Sequence, residues 1–177
     1  DYKSEITQWN ANSGNLLTSN YKGKTIGEIW GFVTDRYFMS AQDVAASPSQ
    51  VGLQTGNFVY GPGDIKYKDL NGDNVISAGS STLADHGDLK IIGNTTPRYQ
   101  YSFRIGGAWK GFDLDIYFQG IGSRQLWATG NEAIPYYRGA DVMYQHQMDF
   151  WSPENPDAKY PLPYTGNGST AISGIRY

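Results

Sequence analysis

The sequence lacks cysteine, a basic excess and any long apolar run, and each absence excludes a class of protein. Among its 177 residues there is no cysteine, so neither a disulfide framework nor a thiolate metal site is available. Fourteen Lys and Arg residues against 17 Asp and Glu give a net charge of −3, without a basic cluster, which argues against nucleic acid as a partner. No stretch approaches the ~20 consecutive apolar residues of a membrane-spanning helix.

What the sequence does contain favours strands and turns, and we expect an all-β fold. Its 22 Gly, 8 Pro and 14 Tyr residues are typical of strands joined by tight connections. Hydrophobic residues make up only 39%, which is lean for a self-sufficient core but suits a barrel wall, in which half of each strand faces water. The first residues, 1–9, have no signal-peptide pattern. Residues 1–9 and 169–177 look like interrupted strand patterns, so we expect a piece of a longer chain.

Residues 99–120 predict a wide β-hairpin with one apolar and one polar face. Folding the segment about Lys110 and Gly111 puts Trp109 opposite Phe112. The same register makes three further pairs on the apolar face: Gly107 with Leu114, Ile105 with Ile116, and Phe103 with Phe118. The other face carries Ser102 with Gln119, Arg104 with Tyr117, Gly106 with Asp115, and Ala108 with Asp113. Alternation that agrees across both strands indicates genuine pairing, because successive side chains on a strand point to opposite faces.

Two interpretations of this hairpin stay open at this point. Arms of about 9–11 residues match a tilted strand that crosses a bilayer, with apolar residues outward and aromatic residues near the ends. A soluble sheet with one face on a core shows the same alternation.

An Asp- and Asn-rich loop within residues 61–94 predicts a calcium site. Its oxygen donors alternate as in a calcium-binding loop: the side chains of Asp69, Asn71 and Asp73, and the backbone carbonyl of Val75. Asn74 replaces the usual glycine and tolerates a left-handed backbone. Position 12 of the loop is Ser80 rather than glutamate, so Asp85 or Asp88 has to complete the site, and Ile76 should anchor the loop to a core. The alternative is a set of Asx turns without an ion.

No catalytic residues are expected in this sequence. Asp113 and Asp115 lie ~7 Å apart on one strand face, a spacing known from inverting glycosidases, but Arg104 on that face suggests an ordinary charged surface. Neither His86 nor His146 has a second ligand at metal spacing. Residues 140–151 predict a short helix. Four aromatic residues near it are candidate ligand contacts by stacking: Trp127, Tyr136, Tyr137 and Trp151.

Several blocks of the sequence together resemble one protein family. They are TIGEIWGFVTDRYF, GDIKYKDLNGDNVI, DLKIIGNTTPRYQYSF, WKGFDLDIYFQGIGSRQLW and FWSPENPDAKYP, in that order. Over about Thr25 to Pro161 the chain closely resembles the late barrel region of the SusC/RagA family, the TonB-dependent outer-membrane transporters of Bacteroidetes. The resemblance implies a transmembrane β-barrel of 22 strands, an N-terminal plug outside these residues that contacts TonB, and a SusD-like lipoprotein lid. It also implies active import of oligosaccharides or peptides as nutrients.

The resemblance also assigns places to the segments. Residues 99–120 become a transmembrane hairpin of the barrel domain, while residues 61–94 and 122–170 become extracellular loops, with Asp88 as the closing calcium ligand. The polar residues Arg104, Asp113, Asp115, Tyr117 and Gln119 should face the lumen. Phe103, Ile105, Leu114, Ile116 and Phe118 should face lipid. The rival hypothesis is a soluble, calcium-stabilised β domain that binds glycans through its aromatic residues.

Overall fold

The computed structural model describes residues 6, 16–54, 58–128, 130, 132–136 and 142–164. Its regular elements are short, apart from two long strands. They are β1 (Glu28–Phe32), β2 (Thr34–Tyr37), α1 (Ala41–Ala45), β3 (Ile65–Tyr67), β4 (Leu89–Asn94), β5 (Tyr99–Trp109) and β6 (Phe112–Gly122), with 3₁₀ turns at Val51–Leu53 and Gln145–Gln147. In this described part of the chain, no helix is long and apolar enough to cross a membrane.

The strands form three separate antiparallel pairs, β1 with β4, β2 with β3, and β5 with β6. The pairing of β1 with β4 is irregular between Ile29 and Trp30, and β2 follows after a break at Val33. Val33 accepts a backbone hydrogen bond from Lys68 (2.9 Å), so the chain passes from one strand pair directly into the next.

Helix α1 is a single helical turn that begins after Ser40. The Ser40 backbone is extended, and its side chain accepts a hydrogen bond from the Asp43 amide at 3.1 Å. A serine in this position satisfies an amide that has no partner within the helix, which explains why the helix begins here.

The hydrophobic core lies on the short strand pair of β2 and β3 and the loops beside it, and not against the long hairpin. It is formed by Tyr37, Ile65, Tyr67, Ile76, Trp151 and Ala158. These residues come from β2, β3, the Asp-rich loop and the segment at residues 151–158. We call this assembly, residues 34–78 and 150–164 as far as described, the loop lobe. Ile76 is fully buried, which confirms its predicted role as the anchor of the Asp-rich loop.

The hairpin of β5 and β6 has the register that alternation predicted, from Trp109 opposite Phe112 to Ser102 opposite Gln119. Lys110 (φ 46°) and Gly111 (φ 87°) both have left-handed backbones, as a two-residue hairpin turn of type I′ requires. Every residue of β5 is exposed, and β6 is exposed apart from its half-buried residues Gly120 and Gly122. Within the described residues, therefore, no second sheet or helix covers either face.

The predicted helix over 140–151 is wrong in its described part. Residues 142–151 contain only the 3₁₀ turn Gln145–Gln147, in which the Gln147 side chain accepts a hydrogen bond from the Tyr144 amide. Beyond it the chain extends, because the Trp151 amide bonds to the Tyr160 carbonyl (2.8 Å) and the Trp151 ring enters the core. Tertiary packing here overrides local helix propensity.

Candidate functional site

The polar face of the hairpin contains a bidentate ion pair between Arg104 and Asp115. Arg104 donates from Nε to both carboxylate oxygens of Asp115, at 2.7 and 2.9 Å, and its Nη2 donates to one of them as well. The two residues lie diagonally across the strands, since Arg104 is opposite Tyr117 and Asp115 is opposite Gly106. Both side chains are exposed, at 71% and 49%, so solvent screens the pair and it contributes little to stability.

This ion pair argues against acid–base hydrolysis by the two aspartates of the polar face. A glycosidase pair needs one carboxyl group that is free to hold and donate a proton, whereas both carboxylate oxygens of Asp115 are hydrogen-bonded to the Arg104 guanidinium. Asp113 lies on the same face, opposite Ala108. The geometry thus suits recognition of polar ligands and gives no support to acid–base hydrolysis.

The opposite face of the hairpin is apolar along its whole length. Phe103 and Phe118 stack with ring centroids 4.6 Å apart, and Ile105 lies opposite Ile116. All five residues predicted to face lipid are exposed, Ile105 and Leu114 by 58% and 63%. A face of this size, uncovered by any described element, marks a surface that contacts another apolar medium or partner.

Aromatic side chains lie at both ends of that apolar face. Trp109 and Phe112 flank the turn and are 70% and 78% exposed. At the other end Tyr101 and Tyr99 lie opposite Gly120 and Gly122, whose Cα positions their rings cover. From residue 101 to residue 109 the strand spans roughly 27 Å at ~3.4 Å per residue.

The Asp-rich loop is held by side-chain to backbone hydrogen bonds. Asp69 accepts from the amides of Gly72 (2.6 Å) and Asn74 (2.8 Å), and Asp73 accepts from the Val75 amide (2.7 Å). Asn74 has the left-handed backbone expected of it, with φ 64°. Desolvation raises the pKa of Asp69. Hydrogen bonds from backbone amides, led by those of Gly72 and Asn74, lower the pKa by more, so it lies below its usual value. The predicted ligands Asp69, Asn71, Asp73 and Val75 therefore share one compact turn.

Asp88 joins the two ends of the Asp-rich loop. It is fully buried, and its two carboxylate oxygens accept from the Leu70 amide (2.8 Å) and the Ser77 amide (2.9 Å). Asp85, the other candidate, closes a separate turn by accepting from the amide and hydroxyl of Ser80. Within the described residues no group of three or more His, Cys, Asp or Glu side chains is arranged to hold a metal ion. Calcium binding stays a prediction that depends on mixed carboxylate, amide and carbonyl donors.

The four aromatic candidates have different environments. Trp127 is 41% exposed, and Tyr136 is half-buried. Tyr137 lies outside the described residues. The expectation that Trp151 is available for ligand stacking is wrong, because its ring is 5% exposed and packs on Gly63 in the core.

Sequence reasoning missed a polar cleft at the base of the hairpin. The cleft has a volume of about 370 Å³ and is lined by residues from β1, β4 and the segments that flank the hairpin, among them Glu28, Asn94, Arg98 and Gln125. Glu28 also accepts hydrogen bonds from Trp30 Nε1 (3.0 Å) and the Thr25 amide (3.2 Å). Single polar residues so far apart in the chain carry no spacing signal that would have revealed the cleft.

Comparison with known proteins gives the family context. No family model matches the chain. The chain is 28% identical over 146 residues to TonB-dependent receptor P26 of Formosa agariphila, a match that covers 82% of this chain and 14% of that protein. It is 29% identical over 124 residues to TonB-dependent receptor P3 of the same organism, covering 62% of this chain and 11% of that protein. These two matches support a relationship between this chain and the TonB-dependent receptors. The matches thus span about a seventh and about a ninth of these two relatives.

Proposed function

We propose that this chain is a segment of the barrel wall and extracellular loops of a TonB-dependent outer-membrane importer of the SusC/RagA type. One observation carries the proposal: an 11-residue strand pair with matched register exposes a continuous apolar face on one side and a charged face on the other. Such a hairpin is stable when lipid covers the first face and water the second. The similarity of the chain to two TonB-dependent receptors also supports a role in outer-membrane transport.

The dimensions of the apolar face also support the membrane interpretation. Barrel strands carry an apolar band ~25 Å tall between two girdles of aromatic residues. In this hairpin Tyr101 and Trp109 bound a band of roughly 27 Å along the strand, and tilting shortens its height across the membrane.

In this proposal the polar face lines the lumen and takes part in passage of cargo without catalysis. Its residues are Arg104, Asp113, Asp115, Tyr117 and Gln119. A bidentate ion pair next to a second carboxylate offers both donors and acceptors, which suits the hydroxyl and amide groups of oligosaccharides or peptides. Ligand capture under a SusD-like lid and TonB-driven displacement of the plug complete the mechanism.

The loop lobe then lies on the extracellular side, where calcium has a structural role. Asp69, Asn71, Asp73 and the carbonyl of Val75 supply oxygen donors, and Asp88 fixes both ends of the loop. An ion at this turn would hold Ile76 in the core and so stabilise the lobe that faces the lid.

The membrane orientation is tested with two arginine substitutions in β6, three positions apart, whose side chains point to opposite faces of the hairpin. Ile116→Arg puts a charge near the middle of the apolar face, and we expect it to destabilise the folded barrel by ~2–4 kcal/mol. Gln119→Arg, the matched control on the polar face, should change the stability by less than ~1 kcal/mol. The measurement is the yield of folded, heat-modifiable protein in outer membranes for the full-length receptor.

Equal yields for the two variants would contradict this orientation. The soluble glycan-binding domain predicts a different result, namely a protein that is monodisperse without detergent.

A further inference from the structure

Asp64 is a buried carboxylate at the junction of three distant parts of the loop lobe. Its side chain is fully buried. Oδ2 accepts from the Gly61 amide at 2.7 Å and from the Tyr164 hydroxyl at 3.2 Å. Oδ1 is buried and has no hydrogen-bond partner among the residues that the structure describes. A buried carboxylate that is only half satisfied is costly when ionised and much less so when it holds a proton.

The backbone around Asp64 joins two segments to the same turn. On one side the Phe38 amide donates to the Asp64 carbonyl (2.9 Å), and the Gly63 amide donates back to the Phe38 carbonyl (2.8 Å). On the other side the Leu162 amide donates to the Gly63 carbonyl (3.0 Å). The turn at residues 61–64 therefore holds residues 158–164 against the end of β2.

Close packing keeps water away from this junction. Gly63 has φ 90°, and a Cβ atom there would lie 2.5 Å from Cε3 of Trp151 and 2.8 Å from Cβ of Leu162. The Trp151 indole nitrogen is likewise buried without a partner. A packed apolar wall of this kind offers the carboxylate no solvent when it loses its proton.

In the described part of the chain, the charged groups on the surrounding elements do not neutralise Asp64. Arg36 of β2 and Lys66 of β3 both bind Asp43, and Lys159 lies over the Tyr160 ring. The titratable groups that interact with Asp64 are Tyr60 and Tyr164, both with a pKa raised first by burial, so they stay neutral at physiological pH. Desolvation accordingly raises the pKa of Asp64 to about 6, against the opposing hydrogen bonds from Gly61 and Tyr164.

We propose that Asp64 makes the loop lobe pH-sensitive: one proton on its carboxyl group tightens the packing of residues 158–164 on the turn at residues 61–64. The sign follows from linkage. A carboxyl group whose pKa is higher in the closed than in the open form stabilises the closed form below that pKa, and the stabilisation is lost as the pH rises. Given a pKa of about 6 in the closed form and 3.8 in the open form, the equilibrium constant for opening increases about tenfold between pH 5 and pH 7.

Hydrogen exchange on the full-length protein in detergent, followed by mass spectrometry between pH 5 and pH 7.5, tests this proposal. After correction for the intrinsic pH dependence of exchange, peptides with Gly63 and Leu162 should lose about tenfold of their protection from pH 5 to pH 7. Asp64→Asn, which stays neutral, should show no such change. Peptides from β1 and β4 serve as the internal control, because Asp64 makes no hydrogen bond to them.

A second variant keeps the test decisive if Asp64→Asn fails to fold. Tyr164→Phe removes a hydrogen bond that favours the ionised form, so the transition should persist with its midpoint at higher pH. Identical pH profiles for the wild type and both variants would overturn the proposal, as would protection that rises with pH. Neither outcome depends on whether the hairpin crosses a membrane, so this test is independent of the proposed function.

Discussion

At the scale of single residues, Asp43 connects three elements of the loop lobe. It lies in α1, and its carboxylate accepts from Nη1 and Nη2 of Arg36 on β2 and lies 3.5 Å from Nζ of Lys66 on β3. It also accepts from the Met39 amide at 3.0 Å. The hydrogen bonds from Arg36, which outweigh the effect of burial, hold the pKa of Asp43 well below its usual range.

Asp43→Asn should therefore destabilise α1 and its contact with β2 by ~1–2 kcal/mol, since a charge-assisted, half-buried network is lost. The pH dependence has the opposite sign to that of Asp64. A lowered pKa gives stability that is present above the unfolded value of about 3.8 and is lost as the pH falls below it. Exchange of the Val44 and Phe38 amides in the full-length protein measures the effect.

Asp35→Asn is the control for this prediction. Asp35 forms a longer, more exposed ion pair with Lys68, at 3.9 Å, so its loss should change the local stability by less than ~0.5 kcal/mol. Equal effects of the two substitutions would show that the Asp43 network contributes no more than a surface ion pair.

At the scale of elements, the Asp-rich loop has two explanations, a set of Asx turns and a calcium site. The hydrogen bonds of Asp69 and Asp73 already fix its backbone without an ion. Those same bonds orient the carboxylates and preserve the left-handed Asn74 that a calcium loop needs in this region. Preorganisation by Asx turns and binding of calcium are thus compatible, and only a measurement separates them.

Calorimetry on the intact, chelator-treated receptor should detect calcium binding at this loop. Asp69→Asn removes a charged ligand, so we expect the affinity to fall at least tenfold, whereas Asp85→Asn, which alters a separate turn, should leave it unchanged. No heat with the wild-type protein would end the calcium proposal. A loss of affinity with Asp85→Asn as large as with Asp69→Asn would place the ion elsewhere.

At the scale of the whole molecule, the described apolar residues lie in two different environments, a buried core and an exposed hairpin face. The loop lobe has its own core around Tyr37, Ile76 and Trp151, whereas the hairpin buries none of its apolar side chains within the described residues. The lobe should therefore respond to core substitutions as a unit, independently of the hairpin, whose strands pair with each other and with no other strand of the described residues.

Trp151→Ala tests this division. Removing a ring that is 5% exposed should destabilise the loop lobe by ~3–5 kcal/mol, because the cavity is lined by residues of several segments. Hydrogen exchange should then show lost protection in β2, β3 and Ile76, with β5 and β6 unchanged. Trp127→Ala, at a 41% exposed position, is the control and should have little effect on either part. Loss of protection in the hairpin would contradict the division.

Local pattern predicted those elements in which each residue's environment is repeated by its neighbours. The hairpin is the clearest case: alternation from Phe103 to Phe118 and a Lys110–Gly111 turn fix the register without help from the rest of the fold. The Ser40 cap and the Ile76 anchor follow from similarly local rules. The helix over 140–151 failed because its local propensity competed with a distant strand-like contact to Tyr160.

By itself the sequence determined the all-β character, the hairpin and its two faces, and the turn that groups Asp69, Asn71 and Asp73, since each depends on neighbours a few residues apart. The tertiary structure decided that Trp151 belongs to the core, that Asp88 accepts backbone amides at both ends of its loop, and that Asp64 is buried beside Tyr164. These outcomes depend on contacts between residues up to 100 positions apart. Burial and the loss of solvent at such contacts are properties of the assembled fold, which no local spacing encodes.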